Sequence, residues 1–498
     1  MSETAAETHR QLTPSAGLFL ALSFVYLAVA IVLGLPGADG DTPQAFNVIT
    51  HLAEEQRYTL SRTPGQPFLD YLSFVTWSAG GEIGVHAWFA LVSAAGITAL
   101  YQFLRAAGAA APLFGALAVG LSPLFLAHVG GLGDFAVSLA FLMVALRAGQ
   151  LGSNALAGVL IGLSSGCRLP YAVFAIPVAA LVQAGPDAWR RRARVFLSAG
   201  GVCVLFYAPL LAWWGPGLLR NFSVSASWTF GYRVSAFLFR LLISFGVPFW
   251  LLLGILALVA LRRRAFRGFR PSPTDLAGGL TVALSVLILS RMPTKPELTL
   301  PILLGLTILL AVRAGKAVSA AFLGCVVLSG LVLLSPYDRF SGRYGWHLEY
   351  GHYAKAIEQA YDNRLMARTV PETLNRLPPG AVLVDSIQWT IPQAHAAGIT
   401  EVADFEGIPG LIGVRFGGAP GRALVSYQNA KLKDFLEKRR ANPDSGVYFD
   451  IRWQGMLRRW MNLEIAEYAK PVVVGGQALR SLWSVAGLSN ADAAALGR

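Results

Sequence analysis

Long apolar runs without charged residues constrain this chain more than any other feature. A helix of about 20 apolar residues is long enough to cross the hydrocarbon core of a bilayer. The pattern therefore predicts eleven membrane-spanning helices, with a long polar loop after the first of them that ends near Glu82. The runs lie near residues 15–36, 84–104, 110–128, 133–149, 153–167, 169–184, 196–214, 236–261, 274–291, 299–314 and 317–336.

The composition is that of a multi-spanning membrane protein. Hydrophobic residues make up 54% of the chain and charged residues only 14%, against about 25% charged in soluble domains. The net charge of +13 comes from basic residues in short loops between apolar runs, which is a topology signal and excludes nucleic acid as a partner. Cys167, Cys203 and Cys325 lie far apart in apolar stretches, so we predict neither a disulfide nor a zinc framework.

Basic residues are concentrated in alternate loops. One set of loops holds the arginine clusters at residues 190–194 and 262–270, together with Arg105, Arg147, Arg313 and Lys316. Because basic loops stay in the cytoplasm, we predict a cytoplasmic N-terminus, and an odd number of spans then places residues 337–498 outside. Chain size and composition favour a bacterial inner membrane, with the tail in the periplasm.

The tail differs from the rest of the chain, since it is polar and mixed in charge. Residues 381–385 and 446–451 are predicted strands, and residues 427–438 and 453–468 are predicted helices. Turn residues at 378–380 and 442–446 separate these elements. We therefore predict two domains: a transmembrane domain over residues 1–336 and a soluble α/β domain over residues 337–498.

Charged residues avoid the middles of the predicted spans, and only Arg240 lies slightly inside one. Ion-coupled transporters place ionisable residues at the bilayer midplane, so this pattern argues against a transporter. Polar residues instead gather in all five predicted outer loops. They are Asp39, Asp41, His51, Arg62 and Glu82, then His128 and Asp134, then Arg168, then Arg220, Tyr232 and Arg233, and finally Arg291, Lys295 and Glu297.

A site built from several loops at one membrane face suits a sugar carried on a lipid phosphate. Its transfer to a hydroxyl needs a carboxylate to take the acceptor proton, and Asp41 is the candidate base, with Asp39 as its nearest rival and Asp134 as a further candidate. Cations must stabilise the departing phosphate. The candidates for that role are Lys295, Arg291, Arg62 and Arg168.

Three motifs resemble the GT-C glycosyltransferases, in the bacterial branch related to protein O-mannosyltransferases and lipid A aminoarabinose transferase. The first is Asp41 followed by the segment SRTPGQPFLDY at residues 61–71. The second is LSPLFLAH at residues 121–128, followed by Asp134. The third is RMPTKPELTLP at residues 291–301. The resemblance covers about the first 335 residues, and in the tail it extends only to an outer soluble domain.

The resemblance implies a GT-C-like helical fold and an inverting transfer from a polyprenyl-phosphate sugar. It also implies that Asp41 is the catalytic carboxylate and that Lys295 meets the donor phosphate. The chain departs from the family pattern at Thr42, where a second acidic residue is common, and beside Lys295, where Thr294 and Pro296 replace an aromatic residue or histidine. These departures leave the acceptor and any need for a metal open. The acceptor is a glycan, a lipid or a protein.

Each candidate residue also has a purely structural reading. Asp41 could be a loop residue or a helix cap, and Asp134 could be an N-cap. Lys295, Arg291 and Arg168 could be side chains that extend to the interface. Five residues are predicted to bind substrate: Glu297, His51, Tyr232, Arg233 and His128. Tyr232 and Arg233 could instead anchor the chain at the membrane interface.

Two other functions remain open: a transporter or flippase of lipid-linked glycans, and a non-catalytic assembly protein for envelope glycans. No cofactor is predicted, and a metal site is not supported because His51 and His128 have no neighbouring ligands in the sequence. The aromatic, titratable residues between Trp346 and Tyr353 either line an acceptor entrance or pack the linker to the tail.

Overall fold

The chain divides into two compact units, Met1–Ala360 and Tyr361–Arg498, and each is described by itself. The domain prediction, with its boundary at residue 336, stays a prediction. The computed structural model describes residues 3–34, 42–56, 58–60, 64–215, 229–262, 270–293, 295–337, 344–385, 399–402, 404–409, 411, 413–417, 421–426, 431–440, 446–450, 470–474 and 477–481.

The first unit is a helix bundle. Six of its described helices are long and apolar enough to cross a membrane, and the bent pair α4–α5 makes a seventh. A helical polytopic membrane protein is therefore confirmed, whereas the count of eleven spans stays a prediction. The helices are α1 (Glu3–Leu33), α2 (Thr42–Glu54), α3 (Pro67–Ala106), α4 (Pro112–Gly120), α5 (Pro123–Gly130), α6 (Asp134–Gln150), α7 (Asn154–Cys167), α8 (Ala175–Ala180), α9 (Ala188–Trp214), α10 (Phe230–Arg262), α11 (Pro273–Arg291), α12 (Leu300–Arg313) and α13 (Lys316–Leu331).

The prediction of one long polar loop between the first two spans is wrong in two respects. Helix α2 forms inside it, and α3 begins at Pro67, well before the predicted start of the second span at residue 84. Proline at the first helical position is pre-organised for a helix start. The helix passes through a kink at Gly80 and Gly81, where Gly81 has a positive φ of 60°. Glycine pairs are a common cause of such kinks.

Two more helix breaks lie in the bundle. Helices α4 and α5 meet at a 56° bend, because Pro123 starts a new helix after Ser122, whose side chain accepts a hydrogen bond from the Phe125 amide. Helix α10 is interrupted at Gly246, which has a φ of 73°, and Pro248 follows two residues later. Proline has no amide to continue the helical ladder. Both breaks leave backbone carbonyls that need other partners.

Small residues bring the central helices close together. A Cβ built on Gly96 of α3 would lie 2.6 Å from the Cα of Ala140 on α6, and one on Gly158 of α7 would lie 2.8 Å from the Cβ of Ser198 on α9. Small residues at such crossings let helix backbones approach within a membrane. The resulting core of α3, α6, α7 and α9 is tightly packed around the site described below.

The last predicted span, 317–336, is only partly helical. Helix α13 ends at Leu331, and the next six residues form strand β1 (Val332–Tyr337), which pairs antiparallel with β2 (Tyr344–Tyr350). Gly330 makes room for the ring of Tyr353, since a Cβ there would lie 2.5 Å from its Cζ. Strand β1 packs on α10 and α13. An apolar strand that directly follows an apolar helix cannot be told from more helix by periodicity.

The second unit contains a seven-stranded mixed sheet in the order β4–β5–β6–β3–β7–β9–β8. Its centre is parallel, with β3 between β6 and β7, and the flanking strands pair antiparallel. The α/β prediction and both predicted strands are confirmed, and the helix predicted at 453–468 lies outside the described residues. The elements are α14 (His352–Arg376), which begins in the first unit, then β3 (Val382–Asp385), β4 (Ile399–Val402), β5 (Gly413–Phe416), β6 (Ala423–Ser426), α15 (Leu432–Arg440), β7 (Val447–Asp450), β8 (Lys470–Val474) and β9 (Gln477–Ser481).

Candidate functional site

A buried ion pair lies at the start of α6. Asp134 is 1% exposed, and its Oδ2 accepts hydrogen bonds from Arg168 Nη1 at 2.5 Å and from Gln66 Nε2 at 2.8 Å. Gly133 occupies the N-cap position, and Asp134 follows it as the first helical residue. The alternative that Asp134 is an N-cap is therefore wrong. Its carboxylate instead contacts side chains from two other parts of the chain.

Arg168 reaches Asp134 because the backbone turns sharply after α7. The residue is extended, with φ −155° and ψ 104°, and Leu169-Pro170 opens a 3₁₀ turn behind it. Its guanidinium lies 3.5 Å from the ring centroid of Phe135, a cation–π geometry. The side chain is only 10% exposed, so the alternative of a side chain extending to the interface is wrong. Its Nε is buried and has no hydrogen-bond partner among the described residues.

A second buried carboxylate, Asp70, lies in the first turn of α3. Its Oδ2 accepts a hydrogen bond from the hydroxyl of Tyr58 at 2.8 Å. Burial, together with the nearby Asp70 charge, raises the pKa of Tyr58 well above its ordinary value. The phenol therefore stays protonated and remains a donor at neutral pH. The Tyr58 ring stacks on Tyr71 with centroids 5.4 Å apart.

Tyr207 of α9 joins the two carboxylates into one site. Its hydroxyl donates to the backbone oxygen of Ser165 at 2.8 Å and lies 3.3 Å from that of Gly65. Asp70 and Asp134 both lie close enough to Tyr207 to act on it electrostatically. The start of α3, the start of α6, the end of α7 and α9 therefore meet around a buried acidic centre.

His128 and Glu297 extend the site toward the loop before α12. His128 Nε2 lies 3.8 Å from Glu297 Oε1, and Lys295 is close enough to Glu297 to act on it electrostatically. The imidazole also packs on Phe135, with ring centroids 5.2 Å apart. Phe135 therefore contacts both His128 and Arg168 and connects this group to the Asp134 pair.

Gly133 is the residue that makes room for His128. A Cβ at position 133 would lie 2.7 Å from His128 Cγ and 2.9 Å from its Cβ. Contacts this short do not occur between real side chains, so any larger residue would displace the imidazole. The glycine-rich turn between α5 and α6 is therefore part of the site and more than a connector.

The structure gathers some of the predicted site residues and leaves others apart. Asp134, Arg168, His128, Glu297 and Lys295 form one group. His51 pairs instead with Glu55 at 2.9 Å in an exposed position. Three other predicted residues lie at helix ends: Arg291 is exposed at the end of α11, and Tyr232 and Arg233 lie at the start of α10. Asp39, Asp41 and Arg62 lie outside the described residues.

Sequence reasoning missed Tyr58, Gln66, Asp70 and Tyr207. Two of them, Gln66 and Asp70, lie within the 61–71 motif. An aspartate between Leu69 and the apolar residues of the next turn is a costly residue unless it has a partner, and that signal could have found Asp70. In the described part of the chain, no three His, Cys, Asp or Glu side chains converge as metal ligands.

Comparison with known proteins finds similarity in structure but none in sequence families. No protein-family profile and no curated protein match the sequence. Two solved structures share this fold, and it is the helical polytopic fold that the resemblance implied. In particular, the chain is similar to ArnT from Cupriavidus metallidurans bound to undecaprenyl phosphate, with a TM-score of 0.50 and 13% identity over 96% of this chain and 99% of that one. Apo ArnT gives a TM-score of 0.50 and 14% identity over 95% and 98% of the two chains.

Proposed function

We propose that this protein is a glycosyltransferase that moves a sugar from a polyprenyl-phosphate donor to an acceptor hydroxyl at the outer face of a bacterial inner membrane. The observation that carries the proposal is the likeness in fold to ArnT over nearly the whole chain, since that protein has been seen bound to undecaprenyl phosphate. The buried polar site at the helix ends supports it, because a lipid-linked sugar needs its head group held there while its tail stays in the bilayer.

The reaction is a single displacement at the anomeric carbon. The acceptor oxygen forms the new glycosidic bond as its proton passes to the base, and the bond from the anomeric carbon to the phosphate oxygen breaks. The electron pair of that bond leaves with the polyprenyl phosphate, so the configuration inverts. Asp41 is the proposed base, and Asp39 is its alternative. A positioned base of this kind contributes roughly 10²–10⁴ in rate.

Lys295 is the proposed partner of the leaving phosphate. It precedes the 3₁₀ turn Pro296–Thr299 and lies beside Glu297, which in turn approaches His128. A cation placed where charge develops lowers the barrier to departure. Arg291 lies four residues earlier at the end of α11 and is the second proposed phosphate contact.

Arg168 receives a different role from the one its sequence suggested. Its guanidinium is engaged by the Asp134 carboxylate at 2.5 Å and lies against Phe135. We assign Arg168 the role of a positioning residue. It holds the first turn of α6 in place, and through Phe135 it also holds the imidazole of His128. This role explains why a buried ion pair persists at a place where an apolar pair would be no less stable.

The test is sugar transfer by the purified protein in detergent micelles. Radiolabelled polyprenyl-phosphate sugars are supplied with an envelope fraction as acceptor, and both labelled product and released polyprenyl phosphate are measured. Micelles have no separate compartments, so a flippase or an assembly protein gives no chemical change. Wild-type protein is expected to release polyprenyl phosphate with one sugar, and Asp41→Asn is expected to lower the rate about 10²–10⁴-fold.

Asp39→Asn is the matched control, because it removes a carboxylate two residues away along the chain. Loss of transfer in Asp39→Asn with retention in Asp41→Asn would move the base to Asp39. Absence of turnover with every donor, in protein that is folded and binds undecaprenyl phosphate, would reject the enzyme in favour of the flippase or assembly protein.

A further inference from the structure

The β1–β2 ribbon carries an apolar face that no described residue of its own unit covers. On β2, alternate residues point to the same side of the strand, and Trp346, Leu348 and Tyr350 are 63%, 73% and 78% exposed. Across the ribbon, Val332 is paired with Tyr350 and Leu334 with Leu348. We call these five residues the ribbon face: Val332, Leu334, Trp346, Leu348 and Tyr350.

The opposite side of the ribbon is attached to the helix bundle. Leu333, between two ribbon-face residues, is 1% exposed, and β1 packs on α10 and α13. Directly after the ribbon, Tyr353 donates to the backbone oxygen of Leu121, and His352 Nε2 lies 2.7 Å from that of Ile243. The Leu121 oxygen lies at the bend between α4 and α5, and the Ile243 oxygen lies just before the interruption of α10. The ribbon is therefore fixed, and its apolar face is held in one orientation.

The ribbon face continues an apolar surface of α13. Leu328 and Leu331 are 44% and 57% exposed near the end of that helix, and Val332 follows at 39%. Exposed apolar side chains on a membrane helix face lipid. The surface therefore runs without a polar interruption from the side of α13 onto the ribbon, among the residues that the structure describes.

We propose that the ribbon face is inserted into the leaflet at the end of the bundle that carries the candidate site. Its tryptophan and tyrosine are the residues that membrane proteins place at the boundary between acyl chains and head groups. A two-stranded ribbon has open edges whose amides and carbonyls need water or head groups. The ribbon therefore lies at the boundary and not in the hydrocarbon core.

Insertion of the ribbon face would fix the position of the candidate site relative to the membrane surface. Val326, near the end of α13, lines the same small cavity as Leu300 and Leu303 at the start of α12, so the end of α13 lies at the same end of the bundle as the turn Pro296–Thr299. The Tyr353 contact to Leu121 joins the ribbon to the bend that precedes His128. A ribbon held at the acyl boundary therefore sets the depth at which these side chains meet a lipid head group.

Spin-label accessibility tests the proposal without any assay of activity. Leu348→Cys is made with Cys203→Ala and Cys325→Ala, while Cys167 is kept because it is fully buried. The labelled protein is reconstituted in vesicles of equal parts phosphatidylethanolamine and phosphatidylglycerol. Collision rates of the nitroxide with oxygen, which enters lipid, and with a nickel chelate, which stays in water, are then compared.

Two control positions frame the result. Leu328→Cys on α13 supplies the lipid reference, and Glu437→Cys, exposed on α15, supplies the aqueous one. The Leu348 label is expected to collide with oxygen several-fold more often, relative to the chelate, than the Glu437 label does. An aqueous ratio at Leu348, or shielding from both reagents by a second copy or another protein, would overturn the proposal. Tyr350→Cys repeats the measurement if Leu348→Cys fails to fold.

Discussion

Two carboxylate–arginine pairs lie at opposite ends of the same helix bundle, and they are built differently. Asp275 pairs with Arg313, and it also completes a capping box with Ser272 at the start of α11. Arg313 is 48% exposed there. Asp134 pairs with Arg168, and both side chains are buried. It takes its second partner, Gln66, from a position 68 residues away.

Local helix chemistry accounts for the first pair and not for the second. Asp275 accepts from the Ser272 amide and hydroxyl at 2.8 Å and 2.6 Å, as the N3 residue of a capping box does. Asp134 accepts instead from Gln66 and Arg168, which lie far from it along the chain, and the buried Nε of Arg168 has no hydrogen-bond partner among the described residues. A polar group that the fold does not need for its own helices points to a site.

The largest effect is expected from breaking the buried pair on one side. Arg168→Met leaves the Asp134 carboxylate buried with its charge unbalanced by this arginine, so the free energy of unfolding should fall by about 3–5 kcal/mol. The measurement is denaturant or thermal unfolding of the detergent-solubilised protein. The double variant Asp134→Asn/Arg168→Met should recover most of that loss, because neither charge is then buried.

Sugar transfer by the double variant separates a structural pair from a functional one. We expect it to be folded but impaired in transfer, since Arg168 no longer positions the α6 start. A double variant with wild-type stability and wild-type transfer would show that this pair is as structural as Asp275–Arg313.

Tyr58→Phe should have the next largest effect. It removes the hydroxyl that donates to Asp70 at 2.8 Å in a buried position, and hydrogen bonds to charged groups contribute about 1.5–3 kcal/mol. Unfolding of the variant measures this loss. Tyr71→Phe is the control, because it removes a hydroxyl from the stacked, half-exposed ring and should change stability by about 0.5 kcal/mol or less. Equal effects of both variants would contradict the assigned bond.

Gly133→Ala tests the packing that holds His128. The added methyl should force the imidazole out of its position at a cost of about 1–3 kcal/mol, and the separation between His128 and Glu297 should grow. Unfolding measures the cost. The double variant Gly133→Ala/His128→Ala removes the clashing ring and should regain part of the lost stability, since only the close contact with the Cβ of residue 128 then remains; no recovery would mean that the glycine is needed for another reason.

The sequence predicted the bundle well because membrane spans have a strong and local signal. It also singled out Asp134, Arg168, His128, Glu297 and Lys295, since charged residues at the ends of apolar runs are conspicuous. It did not predict their partners. The Asp134–Arg168 pair joins positions 34 residues apart, and only the close packing of α6 and α7 brings them together.

The failures have equally physical causes. The apolar pattern does not reveal Asp70, because it predicts the second span only from residue 84, whereas α3 begins at Pro67. The ribbon was overlooked because β1 is an apolar segment directly after an apolar helix, and hydropathy is the same for both. Both errors concern the boundary of a helix, namely the start of α3 and the end of α13.

The smallest effects are expected at the other end of the bundle. Ser272→Ala removes the cap of α11 and should cost about 1 kcal/mol. Arg313→Gln should cost about 0–1 kcal/mol, because the half-exposed arginine is screened by water and the buried Asp275 carboxylate keeps its two bonds from Ser272. Both variants should keep wild-type sugar transfer. A loss of transfer in either one would mean that the two ends of the bundle are coupled, and the distinction between a structural pair and a functional pair would then fail.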